Sequence, residues 1–189
     1  TVLRNPSKLL LEKTPWVTSE YGAPGVTLST PVVLERQIVE LPEERKGKVQ
    51  VVTFTYAGAD TPIDIVVNSS KYATQTGEDD KEKDVPIDVL KIAEGVLDSF
   101  EENGTKNIIT RNEQFITPNG QEGVKTFGTG DFLKGDNLIK GEYVILGFST
   151  PNLLQQVILT WKEGDDYADQ IVERILNSIE LIKLTEDEK

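Results

Sequence analysis

Cysteine and histidine are both absent from this 189-residue chain. Their absence removes thiolate nucleophiles, disulfides, imidazole bases and every zinc site built on sulfur or nitrogen ligands. A carboxylate-only site for Ca²⁺, Mg²⁺ or Mn²⁺ stays chemically open, because hard cations take oxygen ligands; no other cofactor is expected. Methionine is missing as well, even at position 1, and the expectation is that the numbering begins after a processing site. The lack of cysteine alone does not fix a compartment.

Long apolar runs are missing too. No stretch approaches the roughly 20 residues that span a bilayer, and Thr1 to Lys13 has no apolar core of the signal type, so no transmembrane segment is expected. Basic residues are in deficit, with 20 Lys and Arg against 32 Asp and Glu and a formal net charge of -12. A surface of that sign repels phosphate backbones and anionic headgroups. Nucleic acid is not an expected partner.

What is present suits one domain: 37% of the residues are hydrophobic, enough for a single core at this length. Residues 1–25 read as an N-terminal arm. Arg4, Lys8 and Lys13 surround Leu9, Leu10 and Leu11, and Pro6 and Pro15 keep any helix there short. Trp16 reads as the packing anchor of this arm. Residues 26–184 read as a single α+β domain, and 185–189 as a charged tail.

Within the domain, Val26–Thr30 is a strand ended by Pro31, and Val32–Leu41 is again extended. Lys48–Ala57 alternates like a half-buried strand and forms a hairpin with Ile63–Val67. A helix is expected from about Asp84, with Pro86 in its first turn, to just before Gly104. Its apolar arc runs through Ile87, Val89, Leu90, Ile92, Ala93, Val96, Leu97 and Phe100, wide enough for a helix laid on a sheet. Gly95 marks close approach to that sheet or is tolerated without a role.

Four strands follow as a meander: Asn107–Ile116, Gln121–Gly128, Glu142–Ser149 and Leu153–Trp161. The near-continuous run Tyr143–Phe148 implies a central strand covered on both faces. Asp165 or Asp166 caps a last helix with a seam of Ala168, Ile171, Ile175 and Ile179. The expected fold is α+β, an α/β/α sandwich around a largely antiparallel sheet, with the C-terminal four-strand meander closed by a helix.

Few patterns carry chemistry. Gly128, Gly130, Gly135 and Gly141 punctuate what reads as a 14-residue loop, but their spacing matches no phosphate-binding motif and a strand follows, not a helix. The same stretch holds Asp131, Phe132, Leu133, Lys134, Leu138, Ile139 and Lys140. Apolar residues on such a loop are either tucked beneath it or presented to a partner, which makes it the candidate contact surface. The run Glu78, Asp79, Asp80, Glu82 and Asp84 is the candidate site for Ca²⁺ or Mn²⁺, though it lacks the alternating ligands and central glycine of an EF-hand and otherwise reads as a solvated loop. Asn68-Ser69-Ser70 and Asn103-Gly104-Thr105 fit the glycosylation triplet. Nothing in the sequence locates two acids in one cleft for hydrolysis.

Two regions together resemble a known family. Trp16 followed by Val26-Thr27-Leu28-Ser29-Thr30-Pro31 after a glycine turn, and then Gly123, Gly141-Glu142-Tyr143, Gln156-Val157, Trp161 and Ala168 through Ile179, are similar to PsbP-like domains. This is the family of the extrinsic photosystem II protein P, which shares its fold with a Ran-binding nuclear-import factor. The resemblance implies an α/β/α sandwich around an antiparallel sheet, and it implies a non-photosynthetic bacterial member, exported or lipid-anchored; a cytoplasmic location stays open. Leu28 and Thr30 replace the usual aromatic near the first strand's proline, and no metal-binding residue of the photosynthetic members is matched, so the photosystem role is not carried over.

The resulting expectation is a non-enzymatic binding or assembly module acting through contacts with a protein partner. A small-ligand or divalent-cation binding protein is the alternative. A hydrolase built on carboxylates is the third.

Overall fold

A computed structural model describes residues 5–13, 15–22, 25–79 and 81–182. The order of elements is α1 (Pro6–Glu12), β1 (Val17–Gly22), β2 (Gly25–Thr30), β3 (Glu35–Gln37), β4 (Val49–Tyr56), β5 (Ile63–Tyr72), β6 (Gln75–Thr76), β7 (Glu82–Lys83), α2 (Val89–Glu102), β8 (Lys106–Ile116), β9 (Glu122–Lys134), β10 (Asn137–Thr150), β11 (Leu153–Lys162), α3 (Asp166–Leu176) and β12 (Glu180–Leu181). Among the described residues, seven strands form one antiparallel sheet in the order β3-β4-β5-β11-β10-β9-β8, and β1, β2 and β12 form a small second sheet. The fold is α+β with a large antiparallel sheet.

Strand parity puts helices on opposite faces of that sheet. Val144, Leu146 and Phe148 of β10, with Val157 and Leu159 of β11, pack with Val26 and Leu28 of the small sheet and with Ile171, Ile175 and Ile179. The alternate residues Tyr143, Ile145 and Ile158 pack with Ala93, and Val96, Leu97 and Phe100 of α2 lie against them. The run Tyr143–Phe148 is therefore buried on both faces, as its uninterrupted hydrophobicity predicts.

The stretch read as an arm is built into the fold. Asn5 caps α1 by accepting the Lys8 N–H at 3.1 Å, a contact that starts a helix too short to persist alone. The Ser7 hydroxyl donates to Asp165, and so docks α1 on the cap of α3. Trp16 is half-buried with the Arg174 guanidinium 4.0 Å from its ring centroid, which is the anchoring role its sequence position suggests. Missed from the sequence is β1, whose pairing with β2 makes a hairpin.

Other boundaries differ for local reasons. α2 starts at Val89, not near Asp84, because the Asp88 carboxylate takes the Lys91 N–H. Upstream, the Val85 N–H donates to Asn152 Oδ1 and Asn152 N–H returns a bond to the Val85 carbonyl. Pro86 thus lies in an extended lead, not in a first turn. Gly95 meets nothing within 4 Å where a Cβ would stand, so it marks no close approach. Between Val32 and Leu41 only Glu35–Gln37 is strand.

The 14-residue loop does not exist. β9 and β10 run on through it as one long hairpin, with Lys134 opposite Asn137 and a two-residue turn in which Gly135 takes φ of 60°. Its glycines serve close approach in a sheet. A Cβ at Gly128 would stand 1.8 Å from the Ile109 carbonyl oxygen, and one at Gly141 2.8 Å from the Phe132 ring.

Candidate functional site

Where the large sheet extends past the small one, the β8–β9–β10 end and α3 enclose an open groove of about 590 Å³. Register fixes its floor in rows. Ile109, Thr129 and Glu142 stand side by side, then Arg111, Phe127 and Val144, then Glu113, Lys125 and Leu146. Val172 and Leu176 of α3 form the facing wall. The groove is apolar along its middle, acidic at one end and basic beside the sheet edge.

The acidic end is a carboxyl pair. Asp165 caps α3 through the Tyr167 and Ala168 N–H groups at 3.2 and 3.1 Å, which sets the helix so that Asp169 faces the sheet. The Trp161 indole N–H donates to Asp169 Oδ1 at 2.7 Å. Glu142 lies opposite Trp161 on the neighbouring strand and lines the groove together with Trp161 and Asp169. Partial burial, followed by the charges of Asp169 and Glu163, holds the Glu142 carboxyl above its ordinary value. A negative neighbour disfavours ionisation of Glu142, which is the physical cause that adds to its burial.

At the basic end Lys125 bonds Glu113 at 3.1 Å and lies 4.7 Å from the Phe127 ring centroid. Arg111 has no ion-pair partner among the described residues. Tyr143 lies beneath the floor, where its hydroxyl donates to the Ile109 carbonyl at 2.9 Å; burial pushes its phenol up, partly offset by Thr110.

The residues singled out in sequence fall elsewhere. Asp131, Phe132, Leu133, Lys134, Leu138, Ile139 and Lys140 lie on the far half of the β9–β10 hairpin. Phe132 is tucked against Phe100 and Tyr143, with ring centroids 5.4 and 6.4 Å away. Lys134 is a tether: its Nζ bonds Asp64 at 2.9 and 3.0 Å and the Gly58 carbonyl at 2.7 Å. Asp131 accepts from the Asn107 amide at 2.7 Å, and Lys140 pairs with Glu163 at 3.3 Å. Only Leu133 and Leu138, cross-strand partners about half exposed, present apolar surface.

The acidic run does not converge. Glu78 and Asp79 sit in the turn between β6 and β7, where Asp79 pairs with Lys83 at 3.2 Å. Glu82 lies on β7, Asp84 accepts from the Asn152 amide at 2.6 Å, and Asp80 is outside the described residues. Among the described residues no three acids group to hold a metal ion.

Sequence reasoning missed Glu142, Trp161 and Asp169 as a unit. The available signal was Glu142 itself, one acid leading into an otherwise apolar strand. Compared with protein-family models and with curated proteins, the chain matches none.

Proposed function

We propose that this chain is a non-enzymatic binding module that receives an extended segment of a protein partner in the groove between α3 and β8–β10. The carrying observation is the arrangement of that groove: an apolar middle formed by Phe127, Val144, Val172 and Leu176, flanked by Arg111 and Lys125 on one side and Glu142, Asp169 and Glu173 on the other. An open, amphipathic trough with charges of both signs suits a peptide with an apolar anchor between polar groups. Membership of the PsbP-like family and export from the cytoplasm belong to the same proposal. They are supported by the quoted sequence resemblance, and the antiparallel sheet with helices on both faces is what that family implies.

Affinity capture from the native cell, run in parallel with wild type and Leu176→Arg, tests the reading. A partner retained by wild type and lost with Leu176→Arg supports it, whereas equal retention by both removes the groove from the interaction. The groove volume also falls in the range of small-molecule sites, roughly 300 to 1,000 Å³, so a small-ligand reading stands second. Export is tested separately by fractionation of the native cell.

A further inference from the structure

The large sheet ends on one side in β3, three residues long, and on the other in β8, which is eleven. Among the described residues nothing flanks β8 in the sheet, and its residues are almost all exposed. Ile109 and Ile116 are 62% and 57% exposed. A long edge with bare backbone groups is a template for another strand unless something blocks it. Charges are the usual block, yet β8 carries Arg111 and Glu113, of opposite sign, two residues apart and therefore on the same face.

That spacing has a consequence for two antiparallel copies of the strand. Antiparallel self-pairing about a two-fold axis at Asn112 sets Arg111 opposite Glu113 twice, Ile109 opposite Phe115 twice, and Thr110 opposite Gln114 twice. Moving the axis one residue either way sets Arg111 against Arg111 or Glu113 against Glu113. Register is regular from Ile109 to Ile116, and the irregularity between Lys106 and Ile109, with Asn107 at φ of 53°, lies outside the paired span.

We infer that β8 is a self-association edge, through which a second copy of this chain extends the sheet with its two-fold axis at Asn112. Such an axis is perpendicular to the sheet, so the same face of each copy lies on the same side and the two grooves adjoin across Arg111 and Glu113. Charge complementarity selects the second copy as the occupant: the strand's own charge pattern is its own partner's.

Analytical ultracentrifugation of the whole 189-residue chain, from micromolar to millimolar, tests this. Wild type is expected to dimerise reversibly. Arg111→Glu and Glu113→Arg each convert two attractive pairs into repulsive ones, and each is expected to weaken the dimer about tenfold or more. An equimolar mixture of the two variants is expected to recover the dimer, because every cross-strand charge pair in the mixed species is again attractive, and recovery also shows that both variants fold. Wild type that is monomeric throughout overturns the inference. So does a dimer indifferent to both variants, or a mixture that stays as weak as its components.

Discussion

The indole N–H of Trp161 donates to Asp169 Oδ1 at 2.7 Å, joining the last strand of the meander to α3 across the head of the groove. Glu142 shares this head, and its carboxyl is held above the ordinary value by partial burial and by the negative charge of Asp169 and Glu163. Folding therefore makes the Glu142 carboxyl harder to ionise than it is in the unfolded chain. The associated stability is present below the unfolded value near 4.5 and is lost as pH rises through the folded one. Urea unfolding of wild type and Glu142→Gln between pH 4 and about 8 should show the variant gaining on wild type as pH rises. Parallel curves would mean that the pair is not coupled to folding.

Lys134 joins the tip of the β9–β10 hairpin to the β4–β5 connection through Asp64 and the Gly58 carbonyl. Lys134→Met keeps the aliphatic stem and removes the charge. The partly buried ion pair and its hydrogen bonds are expected to cost about 1 kcal/mol, read by chemical denaturation. Amide exchange should quicken at the hairpin tip and at Gly58–Thr61 together. Quickening at the tip alone would show that the tether does not order the partner loop.

Two glycines should respond in opposite directions. Gly128→Ala drives a Cβ into the Ile109 carbonyl, a backbone clash expected to cost about 3 kcal/mol or more. Gly95→Ala, exposed in α2 with open space around it, should stabilise by about 1 kcal/mol through helix propensity. Thermal melts of both variants suffice to check the contrast.

That contrast also shows which features were legible in the sequence. Tyr143–Phe148 declared a strand buried on both faces, because a run with no polar member leaves no solvent side. Asp165 was legible as the N-cap of α3, whereas Asp84 and Pro86 drew the start of α2 too early and its true cap, Asp88, was missed. The β9–β10 hairpin was misread because Gly128, Gly130 and Gly141 look like loop punctuation. In the folded sheet Gly128 and Gly141 sit where a neighbouring carbonyl or ring leaves no room for a side chain, Gly130 is closely surrounded by Thr105 and Phe132, and the Gly135-Asp136 pair between alternating residues was the turn signal. The groove was illegible for a different reason. It joins Arg111, Lys125, Glu142, Trp161 and Asp169 from five elements, and no local spacing records a contact made by sheet register and helix docking.

The groove beside α3 is proposed as the binding surface. A photo-crosslinking residue placed at Leu176, with a control at the exposed Glu94 on the opposite face, tests it most directly in the native cell. A discrete crosslinked partner peptide is expected from position 176 and none from position 94. The same product from both positions, or a product from position 94 alone, would contradict it.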